Sequence, residues 1–142
     1  DEKSGGIATN IGIHLFDLLI WLFGSVEKSE VHLSEKNKMA GSLELKNADV
    51  VWFLSIDESD LPNEIKLQRR SIYRSIKVDD KEIEFTDGFT ELHTKVYQEI
   101  LNGNGLGIDD ARHAIELVYN IRFARIYDGR NFIHPLITKN KI

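Results

Sequence analysis

Residues 5–24 read GGIATNIGIHLFDLLIWLFG, and this stretch decides the fold. The spacing predicts a helix from Ala8 to Phe23, stopped by Gly24, because glycine is the usual residue just past a helix C-terminus. Apolar side chains point nearly all round its axis, so the helix is expected to be deeply buried. One narrow stripe breaks the pattern. At about 100° per residue, Asn10, His14 and Asp17 fall within a sector of roughly 60°. From Ile11 to Phe23 no other side chain is polar, apart from the indole nitrogen of Trp21. A polar stripe on an apolar helix must find hydrogen-bond partners or face a cleft. In one reading His14 and Asp17 are satisfied core groups. In another they line a pocket wall, where Asn10 binds a substrate oxygen and His14 takes a proton. In a third, His14 and Asp17, three residues apart, share a metal. The glycine pair Gly5–Gly6 lets backbone approach a ligand closely, and amides at a helix start favour anionic groups.

Beyond Gly24 the pattern changes to strands: Val26 to Leu33, Gly41 to Leu45, and Ala48 to Ile56, with Asn47 at a hairpin turn. Pro62 marks a loop. Ser71 to Val78 alternates, and Asp79–Asp80 turns it into Glu82 to Phe85. A second helix is expected from Phe89 to Asn102, with Leu92, Val96 and Ile100 at helical spacing. A third is expected from Asp109 to Tyr127, with Ala111, Ala114, Ile115 and Val118 on its core face and Gly129 ending it. Strands bunched together and joined by hairpins imply an α+β domain. It would be a large, mostly antiparallel open sheet with helices on one face and the other face available for oligomerisation. Trp52, Leu54, Ile72 and Tyr73 are expected to supply apolar contact there.

The 142 residues suit one domain, and 42% hydrophobic content excludes a disordered chain. A net charge of −5 argues against nucleic acid as the main partner. Cysteine is absent, which excludes disulfides and thiolate chemistry and suits a reducing cytoplasm. Ile7 to Phe23 is interrupted by His14 and Asp17 and is shorter than the roughly 20 residues a membrane span needs. No positive flank marks it as a signal peptide. The chain opens DEKSGG without an initiator Met, as a piece of a longer protein would.

The remaining motifs are weaker. Lys66, Arg69, Arg70 and Arg74 form the only basic cluster, either a solvated face or an anion contact. GNGLG (Gly103 to Gly107) looks like a dinucleotide fingerprint but follows a helix, so it reads as a helix-to-helix connection. His93 lies in the apolar sector of the second helix and reads as packed; His113 lies off the core face of the third. No acidic or histidine cluster has convincing metal spacing, and no strained serine elbow supports a hydrolase.

The helix from Ala8 to Phe23 and its glycine lead resemble the start of the C-terminal domain of the oxidoreductases related to glucose–fructose oxidoreductase and inositol 2-dehydrogenase. In that family a glycine-rich loop enters a helix reading Asp-x-Gly-x-His-x-x-Asp. DDAR (Asp109 to Arg112) is similar to the start of the family's last helix. SGGIATNIGIH, WFLSID (Trp52 to Asp57), YRSI (Tyr73 to Ile76) and EFTDGFTELH (Glu84 to His93) resemble one branch, the bacterial UDP-N-acetyl-2-amino-2-deoxyglucuronate 3-dehydrogenases.

The resemblance implies that the family's acid/base histidine is His14 and that its last Asp is Asp17. The family's first Asp is replaced by Asn10, which orients a hydroxyl but takes no proton. The family's catalytic lysine and its Rossmann fingerprint match nothing here, so 1–142 is expected to be the C-terminal substrate-binding and oligomerisation domain alone, inactive by itself. The parent is expected to be a cytoplasmic, NAD-dependent enzyme oxidising a UDP-sugar acid for surface polysaccharide. The cofactor would be held mainly by the missing domain, with no metal and no membrane partner. Lys3, Thr9, Asp17, Arg69 and Tyr73 are candidate substrate contacts. A homo-oligomer, dimer or tetramer, is expected through the open sheet face. The alternatives are a non-catalytic assembly module, or a dehydrogenase of the same family acting on another sugar or polyol.

Overall fold

The computed structural model describes residues 5–79, 81–86, 101–103, 108–129 and 133–139. The chain divides into two compact units, Asp1–Ile56 with Ile108–Ile142, and Asp57–Gly107. In the first unit a π-helical turn (Ala8–Gly12) runs directly into helix α1 (Ile13–Phe23). Strands β1 (Val26–Ser34), β2 (Lys38–Leu45) and β3 (Ala48–Ser55) follow. They form an antiparallel sheet in that order, with Gly41 opposite both Val31 and Trp52. The expected strands and the Asn47 turn are therefore present, and the α+β class holds.

The end of α1 is fastened to the sheet through backbone. Gly24, at φ +91°, donates its N–H to the Ile20 carbonyl at 2.8 Å. The β2–β3 turn then reaches back, with the Asn47 N–H on the Phe23 carbonyl and the Lys46 N–H on that of Ser25, both at 3.0 Å. Carbonyls that a helix end leaves unpaired are thus met by a hairpin.

Strand alternation sends Met39, Leu43, Leu45, Trp52 and Leu54 into the core. There they meet Phe16 and Leu19 of α1 and Leu117, Val118 and Ile121 of the last long helix. The Phe16 and Trp52 rings meet edge to face, with centroids 5.2 Å apart and planes at 80°. Gly12 is required at this contact, since a Cβ there would lie 2.9 Å from Leu54 Cδ1 and from Phe16 Cε2.

Two expectations about this face need correction. Trp52 and Leu54 lie under α1 and not on the open face, because they share the strand parity that points at Phe16. And α1 is not buried all round: Trp21 is 79% and Leu22 47% exposed. Sheet and neighbouring helix cover only one side of it, so positions 12, 16 and 19 turn inward while 10, 14, 17 and 21 turn out.

Helix α3 (Ile108–Phe123) stops four residues before the expected end. The chain is drawn off it because Tyr127 donates its N–H to the Val31 carbonyl at 2.7 Å, beside a parallel bridge of Ile126 to Val31. Its buried positions are Ala114, Leu117, Val118 and Ile121; Ile115, expected in the core, is 51% exposed, and Ala111 is exposed too. The buried stripe shares Ala114 and Val118 with the expected one and is turned from it by about 60° at helical spacing. A short helix α4 (Pro135–Lys139) was not foreseen. His134 caps it, accepting the Leu136 N–H on Nδ1 at 3.2 Å, and stacks on Phe53 with centroids 5.4 Å apart.

The second sheet face, expected to be open, thus carries part of the C-terminal segment. It also carries a charged row. Lys28 bridges Glu30 at 2.9 Å and Glu44 at 3.3 Å. The His32 side chain is only 2% exposed, and its Nε2 lies 3.6 Å from Glu30 and 3.4 Å from Ser42 Oγ.

The second unit holds helix α2 (Asn63–Leu67), where a loop was expected, and a ribbon of β4 (Ser75–Val78) and β5 (Lys81–Glu84). The strand expected from Ser71 is regular only from Ser75. The expected helix from Phe89 and His93 lies outside the described residues, apart from its end at 101–102. So does most of GNGLG.

Phe16→Ala is expected to cost about 3–5 kcal/mol, the usual price of emptying a packed aromatic site, checked by denaturant unfolding. Burial pushes the His134 pKa below the ordinary 6.5. The unfolded chain therefore binds this proton first, and the stability His134 contributes, complete above pH 6.5, is lost as pH falls towards the folded value. Unfolding midpoints measured between about pH 7.5 and 5 should fall less in His134→Asn than in the parent chain.

Candidate functional site: the outward face of the first helix

The site is built on one continuous element. Gly5 and Gly6 take φ of +87° and +75°, the left-handed region where side chains are disfavoured. The chain then enters the π-turn, which carries Thr9 and Asn10, and passes into α1, which carries His14 and Asp17. Asn10, His14 and Asp17 are all exposed. The reading that made His14 and Asp17 satisfied core groups is overturned, and the polar stripe faces outward along one side of the helix. Trp21 continues it one turn beyond Asp17.

Thr9 sits differently. It is half-buried, and its hydroxyl donates to the Gly5 carbonyl at 2.9 Å. Lys3 lies outside the described residues. Asp17 and His14 have no third acidic or histidine side chain beside them with which to hold a metal, among the described residues.

Arg69 and Tyr73 belong to the second unit. Helix α2 ends in a Schellman arrangement. The Arg70 N–H donates to the Ile65 carbonyl at 3.2 Å and the Arg69 N–H to that of Lys66 at 2.9 Å. Arg69 therefore occupies the left-handed position, at φ +56°, usually given to glycine. The rest of the basic cluster is engaged locally. Arg70 pairs with Glu84, Arg74 donates to the Thr86 carbonyl at 3.1 Å, and Lys66 to that of Ser59 at 2.7 Å. Tyr73 donates its hydroxyl to Glu82 Oε1 at 2.5 Å, which raises the phenol pKa and lowers that of the carboxyl. The Tyr73 oxygen keeps its capacity to accept.

Among the described residues no strand leads into a glycine-rich turn and helix, the unit that cradles a dinucleotide pyrophosphate. The π-turn and α1 together present an amide, an imidazole and a carboxylate on one exposed face, groups able to donate to and accept from a hydroxyl. No helix among the described residues is long and apolar enough to cross a membrane.

Residues 1–60 match the model of the oxidoreductase family, C-terminal alpha/beta domain. The match contains the glycine pair, the π-turn, α1 and the whole three-stranded sheet. Residues 1–60 belong to this oxidoreductase family. The chain is also similar to two solved structures of the WlbA (WbpB) dehydrogenase from Thermus thermophilus. One is in complex with NAD and alpha-ketoglutarate, with 48% identity over 92% of this chain and a TM-score of 0.87. The other is in complex with NAD and UDP-GlcNAcA, with 48% identity over 94% of this chain and the same TM-score of 0.87. The chain spans 43% of the length of each. At that identity the likeness reaches beyond the part the family model covers, into α3 and the second unit.

A left-handed non-glycine residue costs on the order of 1 kcal/mol. Arg69→Gly should therefore raise stability by roughly that amount, read from the denaturant midpoint.

Proposed function

We propose that residues 1–142 form the substrate-binding and assembly domain of an NAD-dependent dehydrogenase that oxidises the 3-hydroxyl of a UDP-linked N-acetylglucosaminuronate. The observation that carries this reading is the outward stripe of Asn10, His14 and Asp17 on a helix pinned to its sheet. The 48% identity to a dehydrogenase crystallised with NAD and UDP-GlcNAcA supports it. NAD, when bound, supplies the hydride acceptor.

The residues of this chain handle the other half of the oxidation. As the sugar carbon loses hydride, its hydroxyl loses a proton and becomes a ketone. An imidazole nitrogen of His14 receives that proton, as a positioned general base does. Asn10, four residues earlier, stays neutral; its carboxamide both donates to and accepts from the sugar and so fixes the hydroxyl without competing for the proton. Asp17 gives the same face an acceptor for a further sugar hydroxyl or for protonated His14. Lys3 is a further proposed substrate contact of the first unit, and Arg69 and Tyr73 are proposed contacts of the second, each taken by itself. Arginine suits the diphosphate because its planar fork matches phosphate oxygens.

The parent enzyme works in this reading in the cytoplasm on sugars destined for surface polysaccharide. It assembles through the part of the sheet face away from α1 that the C-terminal segment leaves uncovered, where Val51 is only half-buried. In the parent enzyme, supplied with NAD and UDP-GlcNAcA, His14→Ala should lower kcat by about 10²-fold or more. Asn10→Ala should lower kcat more than it raises KM, because the hydroxyl it fixes then meets His14 in the right geometry less often. Steady-state kinetics read both, and turnover near normal in His14→Ala would overturn the assignment.

A further inference from the structure

Thr9 stands next to the site but does not share its face. Its hydroxyl reaches back four residues to the Gly5 carbonyl at 2.9 Å. A Cβ on Gly5 would lie 2.7 Å from Thr9 Oγ1 and 2.9 Å from Thr9 Cβ, so the threonine side chain rests directly on the glycine. The turn that starts here is the π-turn, Ala8–Gly12. A threonine hydroxyl bonded to a carbonyl one turn back competes with the regular ladder and bends or opens a helix. A π-turn takes up an extra residue and is frequent at functional sites.

The consequence falls on Asn10 and His14. Four residues in an α-helix overshoot one turn by about 40°. Widening the turn that holds Asn10 reduces the overshoot and brings Asn10 closer to a position directly above His14. Gly12 cannot take up the change by sliding, because it is wedged against Leu54 and Phe16. The wide turn is therefore held from both ends, by Thr9 on Gly5 and by Gly12 on the core.

We propose that Thr9 is a positioning residue: its hydroxyl, through the Gly5 carbonyl, holds the π-turn that sets Asn10 in register over His14. This rests on the reading that Asn10 and His14 act on the sugar hydroxyl, and it replaces a direct substrate contact for Thr9. Thr9→Val keeps the shape and removes the hydroxyl, while Thr9→Ser keeps the hydroxyl.

The test uses the parent enzyme with NAD and UDP-GlcNAcA, with amide hydrogen exchange followed over residues 5–14. Thr9→Val should lower kcat about 10-fold with KM for the sugar within about 2-fold, and should speed exchange in that segment several-fold; these are order-of-magnitude expectations for a misplaced catalytic group. Thr9→Ser should restore both. A raised KM with unchanged kcat, the mark of lost ground-state binding, would overturn the proposal. So would exchange unaltered in Thr9→Val. His14→Ala is assayed beside them. Normal turnover there sinks the functional reading, whereas a slow His14→Ala beside a normal Thr9→Val sinks only the role given to Thr9.

Discussion

The edge-to-face contact of Phe16 with Trp52 is the constraint on which the rest of the first unit depends. It fixes how far α1 stands from the sheet and which of its faces looks inward. Everything on the opposite side then follows from helical phase. Positions 16 and 19 are committed to the core, so 10, 14 and 17 are committed to the outside. The polar stripe is exposed as a consequence of aromatic packing on the opposite side of the helix. Such contacts are worth about 0.5–1.5 kcal/mol beyond the area they bury. Their greater effect here is geometric, because an edge-to-face pair defines one orientation where aliphatic packing would allow several.

The second constraint is backbone. At one end α1 is held by the Gly24 bend and the Lys46–Asn47 turn; at the other it is entered through two left-handed glycines and a wide turn. Between these two fixings the helix has little freedom to rotate or slide. A proton-transfer group gains from such confinement, because reaction rates are sensitive to sub-ångström placement.

Much of this was legible in the sequence, for identifiable reasons. The ends of α1, the three strands and the Asn47 turn are local signals, carried by periodicity and by residues with special backbone needs. The stripe of Asn10, His14 and Asp17 was legible because spacing alone sets its phase. What failed was long-range. Whether Trp21 or Trp52 is the buried indole depends on which side another element covers, and an all-apolar helix does not tell. The early end of α3 depends on Tyr127 finding the Val31 carbonyl, which no local pattern announces. The partial turn of the α3 core stripe has the same origin. Ile115 and Leu117 look alike in sequence, and only the docking of the helix chooses between them. The π-turn was hidden because Thr9 at that place reads as an ordinary helix residue.

The two tryptophans of the chain sit in opposite surroundings, and this gives the molecule a built-in pair of optical reporters. Trp52, sealed against Phe16, emits from an apolar pocket and registers whether the core is intact. Trp21 emits from water, in line with the polar stripe, and registers whatever comes to cover the helix. A molecule or domain arriving at that face would dim or blue-shift one indole and leave the other alone, whereas loosening of the fold would move Trp52 first. Loss of packing and occupation of the site can therefore be separated by light, without any label being attached.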